Sequence, residues 1–330
     1  MKVFTLIEFH KARDFSKKIN DTFEFLKQNF VPLTKSVLFI AGPPVLMGSL
    51  MVGSFIGDFL NLSQDSYTNP GSGGIAEKYF LSVNFWLQII LAMIFLIVSG
   101  VASLSSINNY IILYGEKKSN QIEVSEVWAR VKETFWMYLG TMFFFGLLLI
   151  VAYIIMLVPI VILGSMSPIL VFFGVMGVIV GIFYLLFGAS LTFFIRGYEK
   201  AGFFEALRRS FYLVRGKWWS TFGLIFILSM IVSTMSYLFI MPWYIATIIS
   251  SLHSVSTDSF QEPSFNWRLL TIISFTLYYL AQMVLYAIPN VGIALQYFNL
   301  VELKEAKGLM DEIQTLGNTP DQSSKREEDY

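Results

Sequence analysis

Charge in this chain is confined to islands between long apolar blocks. No Asp, Glu, Lys or Arg occurs in Ser36–Gly57, Tyr79–Gly115, Thr134–Ile195, Trp218–Thr257 or Leu269–Val301. A helix needs about 20 apolar residues to cross a hydrocarbon core of about 30 Å. Each block is long enough for one crossing and the third for two. The tight connection "GSMSP" (Gly164 to Pro168) divides that third block, with helix-breaking residues at both ends. The pattern predicts six spans, near Ser36–Leu60, Tyr79–Ser105, Phe135–Leu163, Ile169–Ile195, Trp218–Met241 and Leu269–Leu300. The second block exceeds one simple crossing at about 1.5 Å per residue, but its later half, "SLSSINNYIILYG", is more polar. One span with an extended end is expected there.

A second period precedes the odd-numbered spans. In "FFEALRRSFYLVRGKWWSTFG", the residues Phe203, Leu207, Phe211, Val214 and Trp218 fall within an arc of roughly 80° at about 100° per residue. Arg208, Arg209 and Arg215 lie outside that arc. The same spacing places Phe15, Ile19, Phe23, Leu26 and Phe30 before span one, and Val127, Val131, Phe135, Tyr138 and Met142 at the start of span three. A hydroxyl residue precedes the central aromatic each time: Thr22, Thr134 and Ser210. The even spans end in related strings, "YIILYGEKK", "FFIRGYEK" and "YFNLVELK". The expected fold is therefore an all-α polytopic helical bundle of three hairpin units, each led by an amphipathic interfacial helix. Residues 1–35 form the first such segment, 36–308 the membrane domain, and 309–330 a tail that reads as disordered from Gly317 onward.

Composition agrees with this picture. The 330 residues are 55% hydrophobic and only 14% charged, against about 25% charged in soluble domains. Net charge is zero, but its distribution is uneven. The four segments on one side of the predicted bundle hold seven, four, six and four Lys or Arg, and the other side holds only Lys78 and Arg268. This bias places both termini in the cytoplasm. The basic N-terminal segment lacks an early apolar core, so no cleavable signal peptide is expected. On the interfacial helices, Arg208, Arg209, Arg215 and Lys217 are positioned to meet anionic headgroups at the cytoplasmic face. Their aromatic neighbours are committed to the acyl boundary rather than to bases, so no nucleic acid is expected as partner.

The segment "EALRRSFYLVRGKWWSTFGLIFIL" (Glu205 to Leu228) resembles a recurring element of the membrane domain attached to some prokaryotic glycerophosphodiester phosphodiesterases, and of its stand-alone relatives. The matching positions are Glu205, Ala206, Leu207, Ser210, Gly216 and Trp219, followed by "QYFNLVELKEAKGL" from Gln296 to Leu309. The resemblance is most specific over about a hundred C-terminal residues. It implies a six-span helical membrane domain and a bacterial cytoplasmic membrane. The catalytic barrel of those enzymes has no counterpart here, so it implies no reaction.

Candidate chemistry is sparse. The chain has no Cys and two His, and His10 and His253 fall on opposite sides of the predicted topology, so no metal site is expected. Ser165 and Ser167 lack a neighbouring base, and read as turn and helix-cap residues. Asp58 is a single carboxylate at the end of span one. No cofactor is called for. Ion-coupled carriers mark their path with intramembrane charges, and the spans carry none. What polarity there is includes Asn84, Gln88, Asn108, Asn109, Gln282, Asn290, Gln296 and Asn299. These serve either as interhelical hydrogen-bonding groups or, for Asn108, Asn109, Gln296 and Asn299, as a lipid headgroup pocket near the cytoplasmic leaflet. Gly174, Gly177, Gly181 and Gly188 in span four allow close helix contact, within the protomer or across a homodimer. The expected function is a non-enzymatic scaffold or accessory subunit with a membrane-protein partner; the alternative is a lipid-handling protein, an exporter component or scramblase.

Overall fold

The computed structural model of the chain describes residues 6–68, 78–164, 167–257, 265–308 and 310. The C-terminal tail beyond it, Ser165, and the side chain of His253 lie outside the described residues. Helices run over Phe15–Thr68 (α1), Val83–Lys117 (α2), Val124–Gly164 (α3), Pro168–Gly188 (α4), Thr192–Glu199 (α5), Phe203–Val214 (α6), Trp218–Thr257 (α7), Phe265–Leu285 (α8) and Ala287–Glu305 (α9). Six stretches of helix are long and apolar enough to cross a membrane. The protein is a multi-pass all-α helical bundle.

The boundaries differ from the expected ones in informative ways. The first interfacial segment and span one are a single 54-residue helix, α1. Pro32 removes one N–H donor and crowds the carbonyl one turn earlier, yet the helix runs through it, and Ser36 Oγ donates to the Pro32 carbonyl at 2.9 Å. The third-unit helix α6 is separate because Gly216, at φ +83, turns the chain before α7, a backbone region that glycine enters without a Cβ penalty. Span two is one unbroken helix, as its polar end suggests. Spans four and six are each broken near the same end. Pro289 in the first turn of α9 has no N–H for the Leu285 carbonyl, so α8 stops there. The Asn290 side chain donates to the Tyr286 carbonyl at 2.7 Å.

The described parts of the four basic segments gather at one end of the bundle, called the basic end below. There α2, α5 and α9 terminate in left-handed residues, Lys118, Lys200 and Ala306, the only positive-φ residues other than glycine among those described. The stretches Phe15–Lys118 and Phe203–Ala306 are of equal length, and the helices they contain, α1 with α2 and α7 with α8, pack together as a four-helix group. The hairpin α3–α4 joins this group mainly through α2 and packs on itself. Gly174 faces Ile160, Gly181 faces Met156 and Gly188 faces the Phe211 ring. These three glycines are taken up inside the protomer, whereas Gly177 has no neighbour within 4 Å. At the opposite end of the hairpin Ser167 caps α4, accepting from Ile169 N–H at 3.3 Å.

The core sits at the basic end. Phe9 stacks on Phe298 with ring centroids 4.7 Å apart, Phe25 meets Tyr114 at 4.8 Å, and Phe194 meets Tyr297 at 5.3 Å. His10 lies edge-on to Phe298 at 5.0 Å, packed into this aromatic cluster.

Candidate functional site

The three amphipathic faces have different fates. In α1, Phe15, Phe23 and Phe30 point outward; the buried stripe is instead Lys18, Thr22, Phe25, Asn29, Leu33 and Ser36. In α3, Val127, Val131 and Tyr138 are buried against protein, not lipid. In α6, Phe203 and Val214 are buried with Ala206, Ser210 and Leu213. Phe204 (72% exposed), Tyr212 and Trp219 (77% exposed) take the outer side. The repeated hydroxyls are inward hydrogen-bonding groups: Thr22 Oγ1 donates to the Lys18 carbonyl, Thr134 Oγ1 to that of Arg130, and Ser210 Oγ to that of Gly188.

The buried stripe of α1 builds the strongest polar site. Lys18 is almost fully buried, and its Nζ donates to Gln296 Oε1 at 2.7 Å and to Ser220 Oγ at 2.8 Å. Gln296 Nε2 donates onward to Thr221 Oγ1 at 2.9 Å. One lysine thus ties α1 to α7 and α9. Asn299 Oδ1 accepts the backbone N–H of Arg13 at 2.7 Å. The Arg13 guanidinium bonds Asp21 at 2.6 Å and the carbonyls of Glu8, Phe9 and Lys11, while Ile7 N–H donates to Tyr114 Oη. The N-terminal segment is folded across the end of the bundle by these bonds. The sequence signal was available: Lys18, Thr22, Asn29 and Ser36 share a helix face.

The four amides expected to form a headgroup pocket are all buried, and the hydrogen bonds that engage them leave them in two groups. Gln296 and Asn299 belong to the Lys18 and Arg13 networks. Asn109 Nδ2 donates to Thr134 Oγ1 at 2.8 Å and Ser105 Oγ at 3.1 Å, joining α2 to α3. Asn108 lies beside the Tyr138 hydroxyl without the geometry of a hydrogen bond, and neither group has another partner among the described residues. Next to Tyr138, Arg196 of α5 reaches α3, donating to Thr141 Oγ1 at 2.6 Å. It forms no ion pair among the described residues.

Of the expected surface cations, Arg208, Arg215 and Lys217 are exposed on α6 and the turn after it. Arg209 is not part of that surface. It bridges Glu199 at 2.5 Å and Glu305 at 3.0 Å, locking α6 to α5 and α9. Burial alone lowers a guanidinium's pKa, but the hydrogen bonds that Arg209 donates to Glu305 and Glu199 raise its pKa above the ordinary value. We expect Arg209→Ala to cost ~1–2 kcal/mol of stability by unlinking α6 from α5 and α9 and leaving Glu199 to Tyr297 and Glu305 to Lys307, whereas Arg208→Ala stays within about 0.5 kcal/mol. Thermal unfolding of both variants in detergent checks the contrast. Among the described residues no group of three His, Asp or Glu side chains is placed to hold a metal ion.

Comparison with protein-family models, with characterised proteins and with solved structures finds no match to this chain.

Proposed function

We propose that this is a non-enzymatic accessory or scaffold subunit of the cytoplasmic membrane of a bacterium, with the basic end in the cytoplasm. The observation that carries the reading is the division of labour at that end. Lys18, Arg13 and Arg209 are engaged in holding the fold. What α6 and the first turn of α7 offer outward is an aromatic and basic surface, Phe204, Arg208 and Tyr212 from α6 and Trp219 from α7. Such a face suits the headgroup layer and a neighbouring protein resting on it. The gathering of twenty-one of the 23 Lys and Arg on one predicted side supports the cytoplasmic assignment. The resemblance to the phosphodiesterase-associated membrane domain supports the bacterial one. The three left-handed helix ends, and the equal lengths of the first and third units, support descent from one repeated hairpin.

A second reading, a lipid-handling protein, is favoured by one observation. Arg196 and Asn108 place a cation without an ion pair and an amide without a hydrogen-bond partner, among the described residues, near the membrane boundary, where ionisable groups mark functional sites. Native mass spectrometry of the tagged protein, extracted gently from its own membranes, separates the two. A second polypeptide at fixed stoichiometry is the result expected of an accessory subunit. A solitary chain overturns that reading and leaves lipid handling.

A further inference from the structure

Between α1, α2 and α3 lies a groove of about 590 Å³, within the range of sites that hold small molecules. Its walls are apolar: Pro43, Pro44 and Met47 from α1, Phe95 from α2, and Phe135 from α3. It opens outward, because Met47 and Trp136, both on its wall, are more than half exposed. One charged side chain lines it, Lys132, whose Nζ lies 5.8 Å from the centre of the Trp128 ring. The neighbouring charges are already matched, Arg130 by Glu116 and Lys117 by Glu126. Lys132 has no ion pair among the described residues, and Glu133 beside it does not line the groove.

The groove also has a direction. The Ser105–Thr134 hydrogen bond sets α2 against α3 just beyond Lys132, on the side of the bilayer. Gly48 packs against Leu96 and Phe95, which sets the register of α1 on α2 further in. Trp128 and Lys132 therefore stand at the basic end, and Met47 and Phe95 lie deeper among the spans. Tryptophan and lysine at the boundary with a hydrocarbon-lined channel running inward is the profile of one lipid: aromatic rings and cation at headgroup level, chain below.

We propose that this groove holds one acyl chain of an anionic phospholipid, its phosphate paired with Lys132 between Trp128 and Trp136. The proposal rests on the membrane location of the bundle and not on the accessory-subunit reading. An unpaired cation at the mouth selects an anionic headgroup, and the unbroken apolar wall selects a chain rather than a polar solute.

The test is native mass spectrometry of the delipidated full-length protein, titrated with phosphatidylglycerol or phosphatidylcholine of the same chains. We expect one saturable phosphatidylglycerol, bound about fivefold more tightly than phosphatidylcholine, the difference one basic residue supplies near the surface. Lys132→Gln should erase that preference and leave phosphatidylcholine binding unchanged. Met47→Trp, which fills the inner groove, should weaken both lipids. Lys132 is exposed, so its variant keeps the test readable if the bulkier one does not fold. Headgroup-blind, unsaturable uptake would mean annular lipid only and overturns the proposal. So does unchanged phosphatidylglycerol affinity in a folded Met47→Trp protein, or occupation of the groove by a second copy of the chain that excludes lipid.

Discussion

Gln296→Leu and Lys18→Met should each destabilise the protein, and together should cost markedly less than the sum of the two. Gln296→Leu takes from the Lys18 ammonium its 2.7 Å acceptor and leaves only Ser220. It also removes the donor to Thr221. Hydrogen bonds to charged groups contribute about 1.5–3 kcal/mol, and a buried partner left unmatched costs the full desolvation penalty. We therefore expect ~2–3 kcal/mol for Gln296→Leu. Lys18→Met is expected to cost ~1–3 kcal/mol, since it strands the Gln296 carbonyl and the Ser220 hydroxyl. In the double variant no buried charge remains and the space is filled by apolar atoms. Its cost should fall short of the sum by at least about 1.5 kcal/mol, the signature of direct contact. The measurement is a double-mutant cycle on reversible unfolding in mixed micelles. Strict additivity would show that Lys18 and Gln296 do not meet in the folded protein.

The second large effect is a collision and its relief. A Cβ on Gly197 would strike the Tyr138 hydroxyl oxygen, with Cζ of the same ring next at 3.2 Å. Tyr138 is fully buried. Gly197→Ala is therefore expected to destabilise by ~1–3 kcal/mol, the usual cost of overpacking, even though alanine is favoured over glycine in a helix by about 1 kcal/mol. Tyr138→Phe removes the offending oxygen, and that oxygen has no hydrogen-bond partner among the described residues. Alone, this change should be close to neutral, because a buried hydroxyl without a partner contributes no bond to lose. Combined with Gly197→Ala it should restore stability to within about 1 kcal/mol of the parent, since the remaining 3.2 Å contact yields to a small shift. A double variant no better than Gly197→Ala alone would mean that α5 and α3 pack differently from this structure.

Both predictions concern residues that the sequence marked without explaining. Gln296 was one of four amides grouped by their position at the ends of paired spans. That grouping says nothing of partners, because an amide's donors and acceptors are matched by whichever helix stands opposite. Asn109 meets Thr134 and Gln296 meets Lys18, and neither pairing has a local sequence correlate. Tyr138 belonged to a repeated apolar pattern that treated α1, α3 and α6 alike. Three copies of one spacing became a divided face in α1, where Phe15, Phe23 and Phe30 are exposed and Leu26 is buried, an inward face over the first turns of α3, and a buried to half-buried face in α6 and the start of α7. Arg209 carried the same charge and helical setting as Arg208. Only Glu199 and Glu305, brought in by α5 and α9, separate them.

The sequence by itself determined that there are six crossings, where they lie, and that the basic segments collect at one end. These follow from summed hydrophobicity and from charge, which are properties of each segment alone and hold whatever it packs against. The tertiary structure decided which face of each helix meets protein and which meets the surroundings. In hydrocarbon both faces of a span are apolar, so hydrophobicity no longer distinguishes inside from outside. The choice falls to shape and to a few polar groups: Gly181 against Met156, Gly188 against Phe211, and Lys18 reaching across to Gln296.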